Sequence, residues 1–363
     1  MIKRIVLLMM SFALCFSVQA RTDVFPQSDF DELSDGLYWF GANNQYEKAS
    51  SDTKDGSTYY DPSKPTLIFI HGWQKDHIVD LERQTFYEDD SNGWPDMDFA
   101  NLWISEGYNI GILYWDQFAD ESEVKNAEAK IWSTEGNKGM RWLDSDGNYH
   151  DGPDQTVTEL LLAAYEEAMS GYQGSDIRLA GHSLGNQLAL RLTDELVTLA
   201  ANGTINNNEV PQRVSLLDPF YSNYAKSYLD GAWVGEKARE IVARLKAADI
   251  AIDSYRTSIV TSSIFVGDEN KELQNSVAFA EEKTSFFNQT QQSQKHSAAI
   301  WLYLWSIAYS TPTVSDNTLA GLSAATTNDE VKQWMATTDH LVQYAGGNTK
   351  DPQDNLFETA DAL

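Results

Sequence analysis

Gly181-His182-Ser183-Leu184-Gly185 constrains this 363-residue chain more than any other five residues in it. On its N-terminal side, Asp176 to Ala180 reads as a short buried strand. On its C-terminal side, Leu184 to Ala200 repeats leucine at helical spacing, with Leu188, Leu192, Leu196 and Leu199 on one face. Glycines two residues either side of a serine at a strand-to-helix junction let the two elements close up, and they leave the serine at the apex of a strained turn. A serine hydroxyl is inert at its own pKa, so exposure at such an apex beside a base is what activation requires. Ser183 is therefore the candidate nucleophile.

The remaining elements extend the same pattern. Thr66 to Ile70, Asn109 to Trp115 and Arg213 to Leu217 are short runs rich in apolar and β-branched residues, and Ile250 to Val260 holds a further one. Helical patterns lie between them, including Thr156 to Met169 and Ala298 to Tyr309. Strands alternating with helices predict an α/β fold, a mostly parallel sheet flanked by helices. Residues 21–345 read as one domain, with an irregular insertion at about 118–153 and a frayed acidic tail at 346–363.

A nucleophile needs a base, an acid behind the base, and donors for the oxyanion. His71-Gly72-Trp73 follows a buried strand, and the backbone N–H groups of Trp73 and Leu184 are the expected oxyanion donors. In the chain order serine, acid, histidine, His296 and His340 are the histidines available. His296 is the better base, read as part of a polar loop just ahead of a helix. His340 reads as an exposed surface histidine in a helical stretch. Asp218 follows a strand in Leu217-Asp218-Pro219, and Asp268 follows Phe265-Val266-Gly267; pattern alone leaves both open as the acid.

Composition bounds the compartment and partners. Lys3 and Arg4 precede the apolar run Ile5 to Val18, and Val18-Gln19-Ala20 offers a cleavage site, so residues 1–20 read as a signal peptide and the protein as secreted, extracellular or periplasmic. Cleavage there removes Cys15, the single cysteine, and leaves stability to the core. A formal charge of −28 argues against nucleic acid as a partner and against tight binding to anionic membranes by general electrostatics. Asp144-Ser145-Asp146-Gly147-Asn148, with Asp151, offers oxygen ligands but lacks EF-hand spacing, and it reads as an acidic turn rather than a metal site.

Three motifs together, Leu67-Ile68-Phe69-Ile70-His71-Gly72-Trp73, Gly181-His182-Ser183-Leu184-Gly185 and Leu217-Asp218-Pro219, resemble the pancreatic and lipoprotein lipase family, in the same order. The resemblance covers roughly residues 66–309. It implies the α/β-hydrolase fold, selects Asp218 as the acid, and matches the segment around His296 to the family's catalytic histidine. It also implies hydrolysis of lipid esters, triacylglycerol or phospholipid, without a cofactor and with transient contact at a lipid interface. A lid is implied at about 270–295, where Leu273, Val277, Phe286 and Phe287 stand among polar residues. Arg256 replaces a histidine of the family's pattern, and the family's disulfides and C-terminal β-sandwich have no counterpart here. A carboxylesterase for short soluble esters is the alternative of the same class, and a binding protein on a hydrolase scaffold the alternative of another. Protein partners are not legible.

Overall fold

The structure, a computed structural model, describes residues 25–50, 56–261 and 267–363. The expected signal peptide and Cys15 lie outside the described residues, as do Phe265 and Val266 of the Asp268 turn. One sheet organises the chain. Its strands are β1 (Gly36–Phe40), β2 (Tyr46–Lys48), β3 (Thr66–Ile70), β4 (Asn109–Tyr114), β5 (Ile177–His182) and β6 (Arg213–Leu217). They continue with β7 (Ala251–Arg256), β8 (Ala278–Glu281), β9 (Thr313–Val314), β10 (His340–Ala345) and β11 (Leu356–Ala360).

The spatial order is β9-β11-β10-β8-β7-β6-β5-β3-β4-β1-β2. From β4 to β10 every neighbouring pair runs parallel, while β1, β2 and β11 attach antiparallel. Every residue of β3, β4, β5 and β6 is buried, which is why these strands read as continuous apolar runs instead of alternating ones.

The sheet is flanked by helices: α1 (Phe99–Ser105), α2 (Val124–Trp132), α3 (Val157–Met169), α4 (Gly185–Ala201), α5 (Val234–Ala247), α6 (Gln292–Ser306) and α7 (Asn328–Met335). α4 packs between α3 and α5, and α1 packs on α6. Thr156 starts α3 with a reciprocal capping box to Glu159. By contrast, α4 begins straight from the turn at Ser183 with no side-chain cap. This is the α/β-hydrolase architecture: a large, mostly parallel sheet whose parallel strands are joined through helices.

Four expectations are corrected. The stretch 270–295 is not a surface cover, because its middle is β8, paired in register with β7, and Leu273, Val277 and Phe287 are buried in the core. The acidic tail 346–363 is not frayed: β11 pairs along β10, with Phe357 fully buried, so the folded domain runs past residue 345. His340 is a strand residue, buried against Phe279 and Glu281, and is not an exposed helical one. The helix expected from Ala298 already begins at Gln292, so His296 stands on α6 and not in a loop. The insertion 118–153 contains α2 and a small hairpin, in whose turn the Asp144 carboxylate accepts from the Asn148 amide and faces His150 at 2.6 Å.

Candidate active site

Ser183 lies between the last residue of β5 and the first of α4, with φ at +53°. That left-handed backbone costs a non-glycine residue roughly 1–2 kcal/mol, so the surroundings must hold it. They do so by close approach. A Cβ on Gly185 would lie 2.1 Å from the Ile70 carbonyl oxygen, and one on Gly181 would lie 2.4 Å from that of Gly185. Neither position can carry a side chain while α4 starts against β3.

Gly72 serves the other side. A Cβ there would lie 2.7 Å from Ser183 Cβ and 3.4 Å from its Oγ, so the loop after β3 runs directly along the serine. Leu184, fully buried, precedes the first turn of α4, where helix amides and dipole favour a developing negative charge. Trp73 follows Gly72, and its indole N–H donates to the Glu121 carbonyl at 2.7 Å. Glu121 is in turn gripped by Lys130 and Arg141, so the insertion anchors this loop. The Asp120 carboxylate accepts the amides of Asp76 and Ile78 further along the same loop.

His71, fully buried, has its pKa lowered to about 4 by desolvation. The Trp115 amide donates to its Nε2 at 3.2 Å, so the ring is neutral, with its Nδ1 proton given to the Gly72 carbonyl at 2.9 Å. The ring thereby braces the loop from beneath.

The structure brings His296 and Asp218 together, with Nδ1 of the histidine 2.5 Å from Oδ2 of the aspartate, both side chains buried. Donation from Nδ1 leaves the lone pair on Nε2. Asp218 stands one residue past β6, also left-handed at φ +41°, and its amide donates to the Tyr255 carbonyl at 2.8 Å. Its Oδ1 accepts from the Thr257 amide at 3.2 Å, and its Oδ2 also accepts from the Ser258 hydroxyl. Asp268 is engaged elsewhere: its carboxylate accepts from the Asn270 amide at 2.9 Å and abuts Gly235 at the start of α5. Arg256, at the end of β7, pairs with Glu269 and Glu281.

Several residues of this region were not legible in sequence. The His182 ring lies 4.5 Å from that of His296 and donates from Nε2 to the His296 carbonyl at 3.1 Å; burial pushes its pKa well down and keeps it neutral. Glu128 is buried and receives Gln187 Nε2 and the Ser222 amide, each at 2.9 Å. Glutamate, glutamine and serine in loops and helices are too common for spacing to single out Glu128 and its partners, and the Gly-x-Ser-x-Gly pattern assigns no role to the position of His182. A cleft of about 610 Å³ opens near Asp218 at the ends of β7 and β8, lined in part by Thr257, Ser258, Glu282 and Lys295. Desolvation raises the Glu282 carboxyl to about 7.

No family model matches the sequence, and no curated protein matches it significantly. Among solved structures the chain is similar to LpqC, a poly(3-hydroxybutyrate) depolymerase from Bordetella parapertussis, at 14% identity and a TM-score of 0.28, over 57% of this chain and 61% of that one. It is also similar to a putative carboxylesterase from Lactobacillus plantarum (14% identity, TM-score 0.27, 59% of this chain and 70% of that one). A third is an esterase B from Lactobacillus rhamnosis (13%, 0.27, 76% and 75%). The chain thus spans less than two thirds of the depolymerase, and the strand order and the turn at Ser183 define its fold without help from such distant likenesses.

Proposed function

We propose that this chain is a serine ester hydrolase. The observation that carries the reading is the corner where a strained Ser183, with the Gly72 loop along its hydroxyl, and Asp218, 2.5 Å from His296 on α6, follow the tips of adjoining strands. Ser183 Oγ attacks the ester carbonyl while His296 Nε2 takes its proton. The Trp73 and Leu184 amides hold the oxyanion, the protonated His296 returns the proton to the leaving alcohol, and water then cleaves the acyl-enzyme by the same route. Asp218 keeps the imidazole in the productive tautomer and supports its charge. Nothing in this sequence of steps requires a cofactor.

Lipid esters are the proposed substrates and secretion the proposed fate, the first on the three motifs shared with pancreatic and lipoprotein lipases, the second on the signal-like residues 1–20. A carboxylesterase for soluble esters is the second reading, consistent with the charged residues Glu269, Glu281, Glu282 and Lys295 that line the cleft next to Thr257 and Ser258. A fluorophosphonate should label Ser183 covalently; absence of labelling in folded protein would leave a non-catalytic binding scaffold. A hydrolysis panel varying acyl length, run below and above substrate solubility, separates lipase from esterase. N-terminal sequencing of exported protein tests cleavage after Ala20.

A further inference from the structure

We infer that Asn186, the second residue of α4, is a positioning residue that sets the separation of nucleophile and acid; the inference rests on the roles proposed for Ser183, Asp218 and His296. Ser183 and Asp218 stand on the tips of neighbouring strands. The β5–β6 register ends at Leu217 opposite His182, one residue short of both. Each functional residue then departs into left-handed backbone, and of the regular ladder only the Ser183 amide, donating to the Leu217 carbonyl at 3.2 Å, still reaches across to the neighbouring tip.

Asn186 spans this gap. Its side chain is fully buried, and three of its four hydrogen-bonding positions go into the junction. Nδ2 donates to the Ser183 carbonyl at 3.0 Å and to the Leu217 carbonyl at 3.1 Å, while Oδ1 accepts from the Leu217 amide at 3.0 Å. The partners dictate the amide's orientation: two carbonyls only accept and a backbone N–H only donates, so a flipped amide would oppose all three. One planar group therefore ties the nucleophile's own carbonyl to both backbone groups of the residue preceding the acid.

Gln187 adds an outer grip, donating to the Phe220 carbonyl at 2.7 Å, and the Phe220 amide reaches back to the Ser183 carbonyl at 3.3 Å. The segment 217–220 is thus pinned to the nucleophile turn from both sides of Asp218. Since Asp218 aims His296, any drift between the tips displaces base from nucleophile, and a misplacement of about 1 Å costs on the order of 10²-fold in rate. Asn186 touches no reacting atom, so its effect falls on kcat and not on substrate affinity.

The test compares wild type, Ser183→Ala, Asn186→Leu and Asn186→Asp on a short soluble p-nitrophenyl ester, with Leu196→Ala on the same helix as a control for loss of stability alone. Asn186→Leu keeps the approximate shape and loses all three bonds; its kcat should fall roughly 10²-fold, with KM within about threefold of wild type. Asn186→Asp, facing two carbonyls, donates only while protonated, so its kcat relative to wild type should decline as pH is raised. Leu196→Ala should keep its kcat. If Asn186→Leu does not fold, Asn186→Ser is judged by the same split. A folded Asn186 variant with wild-type kcat, or one whose loss lies in KM, overturns the inference. Retained turnover in Ser183→Ala would instead overturn the underlying assignment of the nucleophile.

Discussion

Ser183 and Asp218 both pay for their position in backbone conformation, at φ +53° and +41°. Glycine tolerates that region at little cost, whereas alanine does not. Ser183→Ala and Ser183→Gly should both abolish turnover, yet the glycine variant should be the more stable by about 1 kcal/mol, read as a higher midpoint in urea. Equal midpoints would mean that the turn is relaxed. The acid is tested by a second pair. Asp218→Asn leaves His296 without its carboxylate and should lower kcat by roughly 10⁴-fold. Asp268→Asn, which loses a bond to the Asn270 amide, should stay within about tenfold, a gap above ~1.4 kcal/mol in barrier. At this scale the sequence spoke through motif order: the serine, the histidine and two candidate aspartates could be read, whereas Asn186 and Ser258 could not, because their importance lies in what folding places beside them.

At the scale of elements, the central strands were plain in the sequence, since burial on both faces writes itself as an unbroken apolar run. The flanks of the sheet were not. Ala278-Phe279-Ala280 is too short and too small to announce a strand, and the mixture around it resembles an amphipathic cover. Leu356 to Ala360 sits in acidic surroundings that read as solvated chain, although Phe357 is fully buried in the finished sheet. His340 was misread because pairing with β8 and β11, both remote in sequence, makes its segment a strand. Removing residues 346–363 should therefore do more than trim a tail. It strips β10 of its antiparallel partner and leaves β9 unpaired, exposing a long open edge. Such a truncation should aggregate or lose several degrees of melting temperature; a variant as soluble and stable as the full chain would show the edge to be dispensable.

For the molecule as a whole, buried titratable groups set an opposition in pH. His71, lowered to about 4, leaves the unfolded chain binding the extra proton below its ordinary value of about 6.5, so its stabilising contribution is lost as pH falls through that window. Asp120 works in the other direction. Burial raises its pKa to about 6, so its contribution is present below about 4 and lost as pH rises through 6. Asp120→Asn removes the opposing slope, and stability should then fall more steeply between pH 6 and 4 than in wild type. Urea midpoints at three pH values across that range check it, and an unchanged slope would mean that Asp120 titrates normally.

The anchoring of Trp73 to Glu121 carries a different kind of consequence. The two amides proposed as oxyanion donors belong to separate supports: Leu184 to the sheet and α4, Trp73 through its indole to the insertion and the charged side chains that brace it. Loosening of the insertion would then act like a clutch, disengaging turnover while serine, histidine and aspartate remain in mesh. A stalled molecule of this kind would still look intact in its core, and its silence towards ordinary esters would originate in a hairpin and helix outside the central sheet.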